Sequence, residues 1–395
     1  MRIPYLGLFI ILLVNIGVDW YIFRFLQTEV RKRIWSKIQF CSAVVFTLGL
    51  IALFFVPLKS MSDAGIRRMM WYIFVYITVY LPKYIFVVFD FIARLPRFWD
   101  KRPLAPVTWT GVTLGVILFV SLWYGAIFNR FNLDVKKVEV KVAGLPEAFD
   151  NFKIVQISDL HVGTFGTDTT FLNTLVNKVN DLEPDLIVFT GDIVNRRTTE
   201  LEPFTGVLSR LDAKYGVYSI LGNHDYGDYY QWNDSTDRDL NNIEMEKLQA
   251  DMGWKLLKND YADIVVKGDT LVLIGVENIG DPPFHVYGDL KKSYPTPGDD
   301  KLKILLSHNP AHWVTDIADN PANNIALTLS GHTHAMQTTV FGWSPASFRY
   351  NTWGGLYSDT SGKRQLYVNI GAGTVGFPAR IGATPEITLI TLCAD

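Results

Sequence analysis

Side chains that commonly bind metal ions follow short apolar segments at five places in the second two thirds of this 395-residue chain. These residues are Asp159 and His161, Asp192, Asn223 and His224, His308, and His332 and His334. Five of the seven histidines of the chain lie in these blocks, mostly beside Asp, Asn or Gly. A lone histidine after a strand is usually an ordinary hydrogen-bonded residue, but five such blocks together predict a metal site. Mixed carboxylate, amide and imidazole donors suit Mn, Fe or Zn better than Ca, which prefers oxygen alone.

The spacing within the blocks has a geometrical interpretation. Residues i and i+2 of an extended strand point to the same side, so Asp159 and His161 can both reach one ion, and His332 and His334 can reach toward a common centre. A glycine directly before the donor residue in three of the blocks allows the backbone to turn tightly and to approach the site. The spacing therefore predicts that the blocks converge on a common centre.

Short β-branched and apolar runs alternate with polar, helix-like segments between these blocks. The predicted strands are residues 137–142, 153–157, 186–189, 215–220, 270–276, 302–306, 325–329, 365–370 and 387–392. The predicted helices include residues 169–182 and 244–252. This mixture predicts strands packed with helices in an α/β or α+β arrangement, with the candidate ligands in loops at the strand ends.

The first third of the chain contains apolar runs of the length that crosses the hydrocarbon layer of a bilayer, roughly 20 residues. Four such runs cover about residues 4–23, 38–58, 70–88 and 107–128. Helices buried in a soluble core rarely run this long without polar breaks. A cleaved signal peptide is the alternative for the first run, but no small-residue cleavage site follows it. The runs predict four transmembrane helices and a multi-pass membrane protein.

Basic residues between the apolar runs indicate an orientation. The first and third loops carry nine Lys or Arg residues, against seven on the opposite side, or against four if the basic residues after the fourth run belong to the folded domain. By the positive-inside rule, this difference predicts that both termini, and with them the second two thirds of the chain, lie on the outer side of the membrane.

Two charged residues, Asp19 and Lys83, lie within the first and third apolar runs. Charges inside a bilayer are costly and are usually paired. The two helices cross the membrane in the same direction, so these residues lie at similar depth and an ion pair between them is one hypothesis. In the alternative, Lys83 extends its ammonium group toward the interface, or Asp19 itself lies there.

Composition excludes several other classes of protein. A formal net charge of -2 provides no broad positive field for nucleic acid, so no nucleic-acid partner is expected. Cys41 and Cys393 are the only cysteines, and they cannot form a disulfide framework or a thiolate metal site.

At the five blocks the sequence resembles the calcineurin-like metallophosphoesterase family. The resemblance covers about residue 150 to the C-terminus and includes all five blocks in the family's order. Residues 371–374, 378–380 and 385–387 further resemble the bacterial membrane-associated branch of that family. Together with the four apolar runs, the resemblance divides the chain into a four-helix transmembrane region at residues 1–130, a short linker and first strand at 131–149, and an α/β metallophosphoesterase domain at 150–395, of which the resemblance implies the last. That domain would be a β-sandwich flanked by helices, in a protein of the bacterial inner or cell membrane.

The resemblance also implies a division of the ligands between two divalent ions. One ion would be held by four residues: Asp159, His161, Asp192 and His334. The second would be held by Asp192, as a bridging ligand, together with three others: Asn223, His308 and His332. His224 would be a catalytic residue above the substrate, with Asp225 as the candidate to orient its ring. The implied reaction is hydrolysis of a phosphate ester or anhydride.

The substrate implied by this chemistry is a phosphorylated small molecule or a lipid-linked phosphate. Only about ten residues separate the fourth apolar run from the first predicted strand, a span of at most about 35 Å. The catalytic domain is therefore expected near the lipid headgroups, which makes membrane lipid a partner and favours a phospholipid-like or lipid-linked pyrophosphate substrate. No obligate protein partner is indicated.

Several alternatives stay open. The aromatic residues at 226–232, and Trp343, Trp353 and Tyr357, either form the rim of the site and touch the interface or pack as ordinary loops. The whole chain could also be a membrane sensor with a structural metal domain, or a transporter in which Asp19 and Lys83 line a path. The intact candidate ligands and His224 favour the enzyme over the sensor, and four helices with only two interior charges give little support to a transporter.

Overall fold

The computed structural model describes residues 5–31, 33–99, 101–281, 285–294, 296, 299–320 and 323–395. The chain divides into two compact units, residues 1–124 and 125–395. Long helices make up the first unit, and all of the described strands belong to the second.

Four long helices are present in the described part of the first unit, and the last of them continues three residues into the second unit. They are α1 (Tyr5–Phe25), α2 (Arg33–Leu53), α3 (Asp63–Arg94) and α4 (Ala105–Ile127). Each is long and apolar enough to cross a membrane. The four predicted transmembrane helices are thereby confirmed, and the chain is a membrane protein.

α1 and α4 agree with their predicted bounds to within two residues at their described ends, whereas α2 and α3 differ by five residues or more. Both the start and the end of α2 lie five residues before those of the predicted run. The last apolar residues of that run leave the helix, because Pro57 restricts the backbone of the residue before it. α3 is longer at both ends than predicted. The Ser62 hydroxyl accepts the N–H of Gly65 at 3.2 Å and so caps its start, and the helix continues through Pro82. Pro4, the predicted start of the first run, lies outside the described residues.

The buried Asp19 carboxylate of α1 is held by three donors. Lys83 of α3 donates to Asp19 Oδ1 at 2.8 Å, Gln39 of α2 donates to the same oxygen at 2.7 Å, and Tyr80 donates to Oδ2 at 2.7 Å. The ion pair predicted as one of two possibilities is confirmed. A carboxylate with three donors is satisfied within the helix bundle, which favours a structural role for this charge over a transport path.

We expect a double-mutant cycle on Asp19→Ala and Lys83→Ala to be strongly non-additive. Each single change leaves an unpaired charge in the bundle and should cost about 3–5 kcal/mol, whereas the double change removes both charges and should cost less than the sum. Unfolding of the full chain in detergent measures these costs. The exposed pair Lys247 and Glu244, at 3.2 Å, is the control and should couple weakly, by about 0.5 kcal/mol. Additive costs at Asp19 and Lys83 would rule out a stabilising pair.

The second unit contains two six-stranded sheets. The first has the order β1-β12-β2-β3-β4-β5 and the second has the order β10-β11-β9-β8-β7-β6. The strands of the first sheet are β1 (Asp134–Val142), β12 (Glu386–Ala394), β2 (Lys153–Ile157), β3 (Leu186–Phe189), β4 (Val217–Ser219) and β5 (Trp254–Leu256). Those of the second are β10 (Gly355–Ser358), β11 (Gln365–Val368), β9 (Ile325–Ser330), β8 (Leu302–Leu306), β7 (Asp269–Gly275) and β6 (Asp260–Val266). Strands β2 to β5 are parallel, as are β7, β8, β9 and β11.

Apolar side chains from the two sheets share one core. Ile154 and Val188 of the first sheet belong to the same buried cluster as Leu273, Ile304 and Leu329 of the second. Strands such as β3 and β8 are buried along their whole length, as expected of central parallel strands covered on both faces. The unit is a β-sandwich, as predicted.

Helices cover the outer faces of this sandwich. They are α5 (Thr170–Asn180), α6 (Thr205–Leu208), α7 (Ser235–Asp251) and α8 (Leu290–Ser293). Leu172 of α5 and Met245 of α7 pack in a cluster with Ile187 of the first sheet, and Leu290 of α8 packs against the cluster on the second. α7 begins nine residues before its predicted start, because the Asp234 carboxylate accepts the N–H of Asp237 and caps it there.

Candidate metal centre

The five sequence blocks follow strands of both sheets. Three of them come after the parallel strands β2, β3 and β4 of the first sheet, and two come after β8 and β9 of the second. The carboxyl ends of the strands bring the blocks together across the sandwich. The N–H of His332, after β9, lies 3.1 and 3.0 Å from the two carboxylate oxygens of Asp159, after β2.

One group of candidate ligands consists of Asp159, His161 and His334, and each offers a donor atom within 4.8 Å of the others. His161 Nε2 lies 3.0 Å from His334 Nε2, which lies 3.2 Å from Asp159 Oδ1. All three residues are buried. Two imidazole nitrogens and a carboxylate oxygen thus face one another, which is a suitable donor set for a divalent cation.

A second group consists of Asp192, His308 and His332, again with donor atoms within 4.8 Å of one another. His308 Nε2 lies 3.3 Å from Asp192 Oδ2 and 3.2 Å from His332 Nδ1. The same Asp192 oxygen lies 3.6 Å from His161 Nε2 of the first group. Asp192 therefore lies between the two groups, in the position that a bridging ligand requires.

The seventh predicted ligand, Asn223, has an amide oxygen that is buried and has no hydrogen-bond partner among the residues that the structure describes. Its amide nitrogen donates to the Tyr229 hydroxyl at 2.9 Å, which fixes the orientation of the side chain. A buried amide oxygen without a donor is costly, and a cation would satisfy it. The donor set of the two groups and this unsatisfied oxygen together fit divalent metal ions.

Backbone strain is concentrated in these blocks. Five candidate ligands have positive φ angles, from 46° to 75°: Asp159, His161, Asp192, His332 and His334. Strand β2 ends at Ile157 and β9 at Ser330, so the ligands lie in turns beyond the strands. The strand-alternation explanation of the i, i+2 spacing is therefore wrong, because left-handed turns direct these side chains. Non-glycine residues in this conformation are uncommon, and their clustering is typical of functional sites.

Glycine is required where these turns cross. Gly191 has a φ of 95°, and a Cβ atom there would lie 2.5 Å from the backbone nitrogen of Gly222. A Cβ atom on Gly331 would lie 2.3 Å from an Asp159 carboxylate oxygen. The predicted role of glycine in close approach to the site agrees with these distances.

Backbone carbonyls orient two of the imidazoles. His161 Nδ1 lies 3.1 Å from the Val194 carbonyl oxygen, and His308 Nδ1 lies 2.8 Å from that of Thr190. In both rings Nδ1–H can donate to the carbonyl, which leaves Nε2 as the atom that faces the centre. For His332 the arrangement is reversed, because its Nε2 lies 3.0 Å from the Tyr350 hydroxyl. Tyr350 was not predicted from the sequence, and it in turn donates to the Asp281 carboxylate at 3.0 Å.

Three of the candidate ligands have charge states that suit metal binding. The fourth, His308, must lose a proton to bind a metal ion, because burial lowers its pKa but the Asp192 carboxylate outweighs burial and raises it to about 9. Burial and the neighbouring His224 lower the pKa of His161 well below its ordinary value, and burial and His308 lower the pKa of His332 to about 4. Both imidazoles are therefore neutral near pH 7, with a nitrogen lone pair available for a metal ion. Burial alone would raise the pKa of Asp192, but His308 and His224 lower it, so this carboxylate is ionised.

His224 lies beside the first group without belonging to it. Its ring contacts that of His161 edge-on at 4.8 Å and stacks on Tyr229 at 4.3 Å. His224 Nδ1 lies 2.6 Å from the carbonyl oxygen of Asn195. The ring is thus held on one face and at one nitrogen, and Nε2 is the nitrogen that can exchange a proton with a bound molecule.

The expectation that Asp225 orients the ring of His224 needs correction. The Asp225 carboxylate is buried and accepts four backbone N–H groups at 2.8 to 3.2 Å, from Asp192, Ile193, Val194 and Gly222. Burial and the charge of Asp192 raise the pKa of Asp225 to about 7, against the opposing effect of these N–H donors. Asp225 positions the backbone of the Asp192 turn, and Asn195 orients the His224 ring instead.

In the aromatic stretch at residues 226–232, one tyrosine forms part of the site and another packs in an ordinary loop. Tyr229 stacks on His224 and so forms part of the site. Tyr226 is buried, stacks on Tyr287 at 3.9 Å, and accepts the N–H of Asn278 with its hydroxyl oxygen at 3.0 Å. That side chain is part of the packed loop.

Arg380 is a buried residue of the site that sequence reasoning did not assign to it. Its guanidinium donates to the backbone carbonyls of Gly373, Ala383 and Ile370 at 2.8 to 3.2 Å, and one nitrogen lies 3.3 Å from His334 Nδ1. Burial lowers the pKa of Arg380 to about 10, so the group is still a cation at neutral pH. Arg380 therefore fixes the loop beneath His334 and is a positioning residue for the first group.

We expect Arg380→Lys to weaken Mn²⁺ binding by about 10–100-fold, because a lysine cannot replace the planar set of donors that holds the His334 loop. Titration of the metal-depleted full chain with Mn²⁺ measures the affinity, and thermal unfolding shows whether the fold is retained. Arg364→Lys is the matched control, since Arg364 binds Asp359 and the Asn323 carbonyl. A folded Arg380→Lys protein with unchanged Mn²⁺ affinity would contradict the positioning role.

Two family models match the chain. Residues 1–130 match "Probable Calcineurin-like phosphoesterase, transmembrane domain", and residues 152–336 match "Calcineurin-like phosphoesterase". The uncharacterized metallophosphoesterase YkuE of Bacillus subtilis is 31% identical over 277 residues, which cover 68% of this chain and 88% of YkuE. The uncharacterized metallophosphoesterase Cj0846 of Campylobacter jejuni is 28% identical over 392 residues, 97% of each chain. The UDP-2,3-diacylglucosamine pyrophosphatase LpxG of Chlamydia trachomatis is 28% identical over 309 residues, 66% of this chain and 88% of LpxG.

Proposed function

The chain belongs to the calcineurin-like metallophosphoesterase family, and from this premise we propose that it is a membrane-anchored phosphohydrolase with two divalent ions. One ion would be held by Asp159, His161 and His334, and the other by His308, His332 and Asn223. Asp192 would be a ligand of both ions. Mn, Fe and Zn all suit this donor set. Metal ions bound in such a centre activate water and neutralise charge on phosphate oxygens.

The observation that supports this proposal most strongly is the position of Asp192. One of its oxygens lies within 3.6 Å of an imidazole nitrogen of each group, so a single carboxylate is shared by two clusters. A structural metal site has no need of such a shared carboxylate, nor of a histidine placed beside it without joining it. This arrangement favours an enzyme over the alternative of a membrane sensor with a structural metal domain.

The proposed role of His224 is to exchange a proton with the oxygen that leaves phosphorus. Nδ1–H donates to the Asn195 carbonyl, which fixes the ring and assigns the proton transfer to Nε2. Stacking on Tyr229 holds the plane of the ring. The edge-on contact with His161 keeps His224 close to the first group of candidate ligands.

For the substrate we favour a lipid-linked phosphate, in particular a pyrophosphate. The chain is a membrane protein, and it is 28% identical to LpxG, which is named as a pyrophosphatase of a diacylated sugar nucleotide. The proposed location is the bacterial inner or cell membrane, with the catalytic domain on the outer side, as the distribution of basic residues predicts. Phosphomonoesters and phosphodiesters of small molecules are the competing substrates.

A substrate panel on the full chain tests this proposal. Detergent-solubilised wild type and His224→Ala would be incubated with Mn²⁺ and three substrates: a lipid-linked pyrophosphate, a lipid phosphomonoester and bis(p-nitrophenyl) phosphate. We expect fastest turnover of the pyrophosphate and loss of that turnover in the variant. Cleavage of only the soluble diester would remove the lipid part of the proposal. No hydrolysis of any substrate would overturn the enzyme assignment.

A further inference from the structure

Exposed apolar side chains are concentrated in one segment of the second unit, residues 336–348, which we call the apolar loop. Phe341 is fully exposed and Phe348 is 85% exposed, and Met336, Val340 and Trp343 are exposed as well. Single exposed apolar residues are normal on a protein surface. Five within thirteen residues form a patch, and such patches mark surfaces that contact another molecule or a membrane.

The backbone conformation of the turn at residues 340–343 keeps the Phe341 side chain exposed. Val340 and Trp343 exchange backbone hydrogen bonds of 2.8 and 3.0 Å, which close a tight turn with Phe341 and Gly342 at its tip. Phe341 has a φ of 49°, an uncommon conformation for a bulky residue. Trp343 and Phe348 pack edge-to-face at 5.5 Å, so the side chains behind the tip support one another. The tip therefore holds an aromatic side chain away from the protein core.

The base of the apolar loop is bonded to the segment of residues 380–384. The N–H of Thr339 donates to the Ile381 carbonyl at 2.8 Å, and the N–H of Ile381 donates to the Gln337 carbonyl at 2.8 Å. A Cβ atom on Gly382 would lie 2.1 Å from the Thr339 carbonyl oxygen, so the two segments are in close contact.

The same segment is bonded to the residues that carry the chain out of α4. The Asn129 side chain donates to the Arg380 carbonyl at 3.0 Å and accepts from the Thr384 hydroxyl at 3.2 Å. The N–H of Arg380 donates to the Gly125 carbonyl at 3.2 Å. Since α4 is a transmembrane helix that ends at Ile127, residues 125–129 must lie near the membrane interface.

From these contacts we propose that the apolar loop inserts into the surface of the bilayer that anchors the chain, with Phe341 and Phe348 deepest. Aromatic side chains are favoured at this level of a membrane, and interfacial apolar groups typically reach about 5–10 Å into the headgroup region. The occupant of the patch is therefore lipid, and the hydrogen bonds through residues 380–384 fix the loop relative to the end of α4.

Insertion of the apolar loop would also deepen the proposed function, on which this second step rests. Met336 follows the candidate ligand His334 by two residues, and Tyr350, two residues after Phe348, contacts His332 through its hydroxyl. The inserted loop thus begins and ends at the candidate metal centre. It would hold this centre at the level of the headgroups, where the phosphate of a lipid substrate lies.

Site-specific fluorescence in proteoliposomes tests the insertion without reference to catalysis. Cys41 and Cys393 would be replaced by Ser, and single cysteines at Phe341→Cys, Phe348→Cys or Val265→Cys would carry an environment-sensitive dye. Val265 is an exposed apolar residue of β6 and is the matched control. We expect dyes at 341 and 348 to emit at shorter wavelength and to be quenched by brominated lipids, and the dye at 265 to show neither effect.

Two outcomes would overturn the proposal. If the dyes at 341 and 348 are as exposed to water as the dye at 265, the loop does not enter lipid. A shift to shorter wavelength without quenching by lipid would indicate a protein partner, such as a second copy of the chain. As a separate kinetic measurement, Phe341→Ser with Phe348→Ser should raise KM for a lipid-linked pyrophosphate in vesicles more than for the soluble diester. If KM did not change as expected but the dyes at 341 and 348 reported lipid, the proposed substrate would be contradicted and the insertion of the loop would stand.

Discussion

Asp192→Ala is expected to lose bound metal and to lower phosphohydrolase turnover by about 10⁴-fold, since metal ions supply several kcal/mol of charge stabilisation and each 1.36 kcal/mol is tenfold. Asp192 Oδ2 faces imidazole nitrogens of both groups, so its removal affects both ions, whereas each of the other candidate ligands affects one. Metal content by elemental mass spectrometry and turnover by phosphate release measure the two losses.

Asp192 also has a structural contact, and a second variant separates the two roles. Its Oδ1 accepts the backbone N–H of His224 at 2.8 Å. Asp192→Asn retains an acceptor for that N–H but removes the negative charge, so this variant should keep the fold and still lose metal. Asp269→Ala, at the exposed start of β7, is the control and should leave metal and turnover unchanged. An Asp192→Asn protein that retains both ions would contradict the bridging role.

His224→Ala is expected to lower turnover by about 10²–10⁴-fold, the usual contribution of general acid catalysis, while metal content stays at the wild-type level. The ring lies beside the first group, but Nδ1 is engaged by the Asn195 carbonyl and the residue is absent from both groups of candidate ligands. Loss of the ring therefore removes proton transfer without removing a ligand.

The control for His224→Ala is His285→Ala, an exposed histidine whose ring contacts only Tyr287 among the aromatic neighbours that the structure describes. The effect should also depend on the leaving group, because p-nitrophenolate leaves without protonation, whereas the alkoxide of a lipid phosphomonoester does not. We expect the loss to be larger for the lipid phosphomonoester than for bis(p-nitrophenyl) phosphate. Unchanged kcat in His224→Ala on both substrates would refute the acid role.

Strands with continuous apolar runs were predictable from the sequence. The predicted bounds of β2, β3 and β8 agree with the structure to the residue, because each run ends abruptly at the polar residues of a ligand block. β5, β6 and β10 were missed, since each has exposed or half-buried residues along much of its length. In such strands the pairing partner decides the structure, and local sequence carries little signal.

The candidate ligands were predictable because their types and order carry chemical information. Their geometry was not, since five of them lie in left-handed turns that no strand period describes. Tyr350 and Arg380 were missed for a related reason. Their contacts to His332 and His334 depend on where distant segments cross, and no residue type in their neighbourhood marks that contact.

The prediction that Asp225 orients the His224 ring was wrong because it was based on the two residues being adjacent in the sequence. The residue follows His224 directly, but its carboxylate is turned into the protein and accepts four backbone N–H groups. A buried carboxylate needs several donors, and the backbone of the Asp192 turn provides them. The acceptor for the His224 Nδ1–H is instead the carbonyl of Asn195, 29 residues earlier in the chain.

Anomalous diffraction at the manganese edge, from crystals of the full chain grown with Mn²⁺, would show whether the seven candidate ligands hold a pair of metal ions. We expect two peaks roughly 3.5–4 Å apart, one among Asp159, His161 and His334 and one among His308, His332 and Asn223, with Asp192 between them. Absence of anomalous density in this cluster, with the protein folded and Mn²⁺ in excess, would contradict this expectation.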